Sequence, residues 1–178
     1  MNDEIIQEAL AYSLGSDLHE SWRATRKKED GTFEPRWKKS KDETWNIIHG
    51  TDDVDIANCT FSELPENWQY ENLEAAKVAI NLVFDRIRDG IEPNKGEIEE
   101  MASKVHEAWL DRNDWVFNPN YGNPALAVPY SKLSEEEKAK DRAQVIAGIK
   151  KIKSYLNGKI DIDSIIETYG IESKQKTL

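Results

Sequence analysis

The sequence predicts a mostly α-helical protein, a tandem pseudo-two-fold repeat of helix-loop-helix units with short strands confined to the loops. Three observations carry this reading. Apolar residues recur every three or four positions over long stretches, the spacing of a helix with one buried face. The segment Leu18-His19-Glu20-Ser21-Trp22 returns 87 positions later as Val105-His106-Glu107-Ala108-Trp109. A second segment, Phe61-Ser62-Glu63-Leu64-Pro65-Glu66, returns 69 positions later as Tyr130-Ser131-Lys132-Leu133-Ser134-Glu135, each time just before a long amphipathic stretch. Two copies in the same order imply either two related clefts or one shared cleft.

The first element runs from about residue 3 to 28, where Ile6, Leu10, Leu14, Leu18 and Trp22 form one apolar stripe and Gly15 is a soft spot. From residue 29 to 60 the periodicity stops. Asp30-Gly31, Glu34-Pro35 and His49-Gly50 are turn signals, and short strands are expected around Thr32-Phe33 and Val54-Asp55-Ile56. A helix follows Pro65 over about residues 66–89, with Leu73, Ala76, Ile80, Val83, Phe84 and Ile87 on one face and Gly90 at its end. Residues 91–96 read as the linker between a first repeat (about 5–90) and a second (about 97–157). The second copy of the opening helix spans about 97–113, on the stripe Ile98, Met101, Val105 and Trp109. Residues 114–129, rich in Pro and aromatics, read as ordered turns without a helix. Ser134 and Glu137 have capping-box spacing, so a helix begins there and runs to the Asn157-Gly158 stop. A short helix over about 161–169 and a frayed tail from residue 172 close a single compact domain, 1–178.

Of the 178 residues, 38% are hydrophobic and 33% charged, which suits a soluble globular chain and excludes a disordered one. There is no run of about 18 apolar residues and no basic, apolar leader at the N-terminus, so neither a membrane span nor secretion is expected. With one cysteine, Cys59, no internal disulfide forms, and a cytoplasmic location is the expectation. A net charge of −10 argues against binding duplex nucleic acid or anionic membranes. The charge is uneven, however. Between Arg23 and Lys41 stand eight basic residues and three acids, a local +5 directly after the first repeated Trp and a candidate anion site.

The second half, from Val105-His106-Glu107-Ala108-Trp109 through Ala127-Val128-Pro129-Tyr130-Ser131-Lys132-Leu133-Ser134, resembles the RyR domain, the repeat unit of ryanodine receptors that also occurs in bacterial and phage proteins. The first half resembles it more loosely, through Leu18–Trp22, Gly31–Arg36 and Phe61–Glu66. The resemblance implies a helical tandem fold and a cleft between repeats in which the Trp of each His-x-x-Trp motif holds an adenine ring. Channel activity is not implied, since no membrane segment is present. The basic residues that commonly precede the Pro-Tyr element in receptor repeats are replaced here by Tyr121-Gly122-Asn123-Pro124-Ala125-Leu126, and the first repeat carries a long insertion before Phe61.

The candidate ligand-binding residues are His19, Trp22, Arg26, Arg36, Trp37, His106, Trp109, Arg112 and Tyr130. Helical spacing puts His19, Trp22, Arg23 and Arg26 along one side of the first helix, and His106, Trp109 and Arg112 along the equivalent side of its copy. An indole face is a stacking surface worth about 1 to 3 kcal/mol per base, and guanidinium groups grip phosphate or ribose oxygens. Trp37, set among Arg36, Lys38 and Lys39, suits a cleft rim, whereas Trp68, on the helix after Pro65, reads as packing. A zinc helix motif needs a second His four residues on, where Arg23 and Leu110 stand, so no metal, cofactor or catalytic residue is assigned. The first reading is a non-enzymatic binding module for an adenine-containing nucleotide or nucleotide-derived signal, a sensor or sequestering protein that is free to form homo-oligomers. The alternatives are an acidic interaction protein with structural tryptophans and a nucleotide-processing hydrolase built on the His-Glu pairs.

Overall fold

A computed structural model describes residues 1–171. These residues are mostly helical: α1 (Asp3–Ala24), α2 (Glu43–His49), α3 (Glu66–Arg88), α4 (Lys95–Arg112), α5 (Glu135–Leu156) and α6 (Ile162–Tyr169), with two short strands, β1 (Trp37–Lys39) and β2 (Asp53–Asp55). The expected tail from residue 172 lies outside the described residues. Two compact units can be distinguished, a smaller one over Ala11–Glu74 and a larger one made of Met1–Leu10 and Ala75–Leu178. Their boundaries fall inside α1 and α3. Residues 91–96, read from sequence as the linker between the repeats, join α3 to α4 and fall within the larger unit.

In the smaller unit the core is Ala11 and Leu14 of α1, Val54 of β2, Ala57, Phe61, Leu64 and Leu73 of α3. Gly15 does not soften α1. The helix runs through it unbroken, and a Cβ there would stand 3.4 Å from the Asn72 carbonyl oxygen of α3, in van der Waals contact. The strands are antiparallel, Trp37 opposite Asp55 and Lys39 opposite Asp53. The first was expected at Thr32-Phe33, but Phe33 makes only an isolated bridge to Lys27. Helix α2 is absent from the sequence reading because nothing in it is buried. It exists through its ends: Asp42 Oδ1 accepts from the Trp45 amide, and Gly50 closes the other end at φ 67°. Asp42 Oδ2 also accepts from the Glu66 amide at the start of α3, so one carboxylate caps two helices. These donated hydrogen bonds, Glu66 first, hold its pKa below the usual value.

In the larger unit, Ala76, Ala79, Ile80, Val83, Phe84 and Ile87 of α3 are buried, as are Met101, Ala102 and Val105 of α4 and Val145, Ile149 and Ile152 of α5. Asn94 and Glu97 form a complete capping box at the start of α4. At α5 only half of the expected box is made. Ser134 Oγ accepts from the Glu137 amide, while the Glu137 carboxylate turns to Lys140 Nζ at 2.8 Å. Residues 114–129 contain one 3₁₀ turn, Asp114–Phe117, and otherwise the expected turns. This loop closes tightly on Gly122, where a Cβ would stand 2.3 Å from the Val116 carbonyl oxygen and 2.4 Å from that of Asn118. Gly122→Ala is therefore expected to cost about 1 to 3 kcal/mol, read as a lower midpoint in urea. An unchanged midpoint would show that the loop opens without cost.

Candidate functional site

In the smaller unit α1 carries His19 and Trp22 one turn apart. His19 is 3% exposed, and its Nε2 lies 2.8 Å from the Cys59 main-chain oxygen. A carbonyl can only accept, so Nε2 holds the proton. Burial lowers the His19 pKa, outweighing the Cys59 hydrogen bond that raises it, so the ring is neutral near pH 7. The Trp22 indole is half-buried and stacked beside the imidazole, 5.8 Å between centroids at 28°. These two side chains border a cavity of about 290 Å³ whose wall also includes Ile56, Leu64, Trp68 and Asn72. Burial, aided by Glu63 and Asp55, raises the pKa of nearby Cys59 and keeps it a thiol.

The larger unit has a local counterpart. His106 is 3% exposed, its Nε2 lies 2.7 Å from the Val128 oxygen, and Trp109 stacks beside it at 6.1 Å and 16°. The pair borders a cavity of about 180 Å³ with Leu133, Glu137, Asp141 and Gln144 in its wall. The correspondence extends through the register. His106 and Trp109 stand 87 positions after His19 and Trp22, while Val128, Leu133, Glu137, Lys140 and Asp141 stand 69 positions after Cys59, Leu64, Trp68, Glu71 and Asn72. In both cases a 3₁₀ turn, Phe61–Glu63 or Tyr130–Lys132, leads through an extended Leu into the long helix that supplies the far wall.

The chemistry of the two cavities differs where the register does not. Asn72 is replaced by Asp141, whose Oδ2 lies 3.8 Å from His106 Nδ1. Burial raises the Asp141 pKa to about 6, opposed by His106 and Lys140 and reinforced by Glu137. An acid whose pKa is higher folded than unfolded loses stability as pH rises from its ordinary value, 3.8, to about 6, and the penalty persists above that. The first unit spends no such energy on Asn72.

Other candidate residues serve different contacts. Arg26 holds the loop, with Nε donating to the Glu34 oxygen and Nη2 to the Pro35 oxygen, both at 2.8 Å, and its guanidinium lies 5.3 Å over the Trp22 ring. Arg23 is buried, donating to the Ala57 oxygen at 2.7 Å and pairing with Glu20. Arg36 and Trp37 are exposed and form no part of the cavity wall; Trp37 is 64% exposed. Arg112 is half-buried in the last turn of α4. Tyr130 is buried; its hydroxyl donates to Glu99 Oε2 at 2.7 Å, and burial followed by that carboxylate raises its pKa to about 12. It faces another hollow, beside Glu107 and Phe117, and does not join His106 and Trp109. The sequence reading missed Asn72, Asp141 and Gln144 and assigned Trp68 to packing. The offset of 69 continues from Leu64/Leu133 into the helix and pairs position 72 with 141, but the residues differ there, so recurrence does not mark them. Trp68 lines the cavity, with its Nε1 donating to the Lys39 oxygen and Lys38 Nζ 5.6 Å over its ring.

No protein-family model, curated protein or solved structure matches the chain. Among the described residues no group of three or more His, Cys, Asp or Glu side chains is disposed to hold a metal, and no helix is long and apolar enough to cross a membrane.

Proposed function

We propose that the protein is a non-enzymatic binding module for an adenine-containing nucleotide or nucleotide-derived signal, a tandem RyR-like repeat acting as a sensor or sequestering protein. The observation that carries the reading is the twofold occurrence of one arrangement: a buried His tied to a main-chain carbonyl, a half-buried Trp stacked beside it, and a cavity at their side. A partly exposed indole held in place by its neighbour is a preorganised stacking surface. The smaller unit adds a second indole, Trp68, and the cation Lys38 next to it. The basic segment supplies phosphate contacts through Arg36 and Lys38, since Arg26 already spends two donors on the loop. Catalysis by a His19–Glu20 pair is disfavoured, because the Glu20 carboxylate is engaged by Arg23.

The test is thermal unfolding with adenosine, AMP, ATP and cyclic or dinucleotide derivatives at two salt concentrations. A ligand at 100 times its dissociation constant adds about 2.7 kcal/mol, so at least one member of the panel should raise the melting temperature, and less so at high salt. No shift across the panel would leave the second reading, an interaction protein. That reading is favoured by Ile47 and Ile48 of α2, 82% and 73% exposed, close in sequence to the exposed Trp37.

A further inference from the structure

The cavity beside His106 and Trp109 differs from its counterpart in one respect that identifies the chemistry of an occupant. Two acceptors in its wall, the Asp141 carboxylate and Gln144 Oε1, have no hydrogen-bond donor. Lys140, the one cation in its wall, is paired with Glu137 at 2.8 Å. The Asp141 carboxylate, 14% exposed, has His106 Nδ1 at 3.8 Å, too far for a hydrogen bond. Gln144, one turn further along α5, has its Oε1 buried without a hydrogen-bond partner among the described residues. An orphan acceptor that is buried loses its hydrogen bonds to water without replacement, and a largely buried carboxylate with no hydrogen-bond donor adds to that cost. Groups kept at such expense in a cavity mark a place where a ligand completes them. The equivalent positions at the offset of 69 are Asn72 and Ala75, so the counterpart cavity lacks this pair of acceptors. The remaining walls are flat and apolar: the Trp109 indole, Leu126 and Leu133. At about 180 Å³ the space is below the roughly 300 to 1,000 Å³ typical of a whole drug-sized ligand and suits one planar head group.

We infer that this cavity binds a planar head group carrying adjacent N–H donors, of the amidinium, guanidinium or protonated amino-heterocycle class, with its face on Trp109 and its donors directed to Asp141 and Gln144. The bidentate match of two parallel N–H groups to a carboxylate gives orientation, and stacking on the indole gives the cation a favourable face. The inference rests on the acceptors of α5, an observation the adenine reading does not use, and shares with that reading only the Trp109 face.

Benzamidine and benzoate have nearly the same shape and opposite charge and hydrogen-bonding sense, so a titration of the full chain with each isolates the chemistry. Benzamidine should bind saturably and at least tenfold more tightly than benzoate. Asp141→Asn should lower benzamidine affinity at least tenfold while raising the melting temperature at pH 7.5, which separates lost binding from lost folding. Gln144→Leu should also weaken binding without lowering the melting temperature. Equal affinity for benzoate, or benzamidine binding unchanged in Asp141→Asn, would overturn the inference. A parallel titration with adenine and with N-acetylarginine methylamide distinguishes a nucleobase from an arginine side chain as the source of the donors. Failure of every nucleotide with benzamidine binding retained would sink the adenine reading alone.

Discussion

Replacing either buried histidine by alanine is expected to destabilise the fold by about 2 to 5 kcal/mol. Each imidazole donates its Nε2 proton to a main-chain carbonyl, Cys59 or Val128, that precedes the 3₁₀ turn leading into a long helix. Alanine strands that carbonyl and removes a ring that packs against Trp22 or Trp109, and against Phe61 in the smaller unit. For His19 a pH dependence follows. Its folded-state pKa lies below its ordinary 6.5, so the unfolded chain takes up the proton first as the solution is acidified. Stability contributed by neutral His19 is thus present above pH 6.5 and lost as pH falls below it. Urea midpoints of His19→Ala and wild type should converge in that range. A loss of less than about 0.5 kcal/mol, the scale of an ordinary surface substitution, would mean that the histidines do not hold these loops.

Trp22→Ala and Trp109→Ala are expected to act in the opposite sense, on ligand rather than on fold. A base stacked on an indole loses about 1 to 3 kcal/mol on alanine substitution, about 5- to 150-fold in affinity, whereas a core indole would cost about 3 to 5 kcal/mol of folding free energy. Both residues are half-buried, in contrast to the neighbouring histidines. Phenylalanine should retain part of the affinity, because it keeps a π face. Melting and affinity measured on the same variants separate the two effects. Unchanged nucleotide affinity with a large drop in stability would make the indoles packing residues.

How much of this was legible in the sequence depended on what holds each element. Helices α1, α3, α4, α5 and α6 were readable to within a few residues, because their buried faces or their caps, such as Ser134 and Asp161, leave periodic or local signals. Helix α2 was not, since it buries nothing and exists through Asp42 and Gly50. The strand around Trp37 has no alternation to read, because it is three residues long and mostly exposed. At the site, the repeated His and Trp were legible from their recurrence. Their partners on α3 and α5 were hidden because position 72 and position 141 carry different residues, Asn and Asp, and Trp68 aligns with Glu137. Arg23 counts toward the basic run read as a candidate anion site but is engaged internally by the Ala57 carbonyl and by Glu20, and the first of these contacts is tertiary and leaves no local signal.

The central claim is that Trp22 and Trp109 present their faces to an adenine ring, and the most direct measurement is a titration of the indole Nε1–H signals in a nitrogen-15 NMR spectrum, assigned by single Trp→Phe variants. Of the six tryptophans, those at 22 and 109 should shift progressively and saturate with an adenine nucleotide, with Trp68 following, while Trp45, stacked on His49 and donating to the Glu63 oxygen, should stay still. Signals of Trp22 and Trp109 that remain fixed across the nucleotide panel would contradict the account.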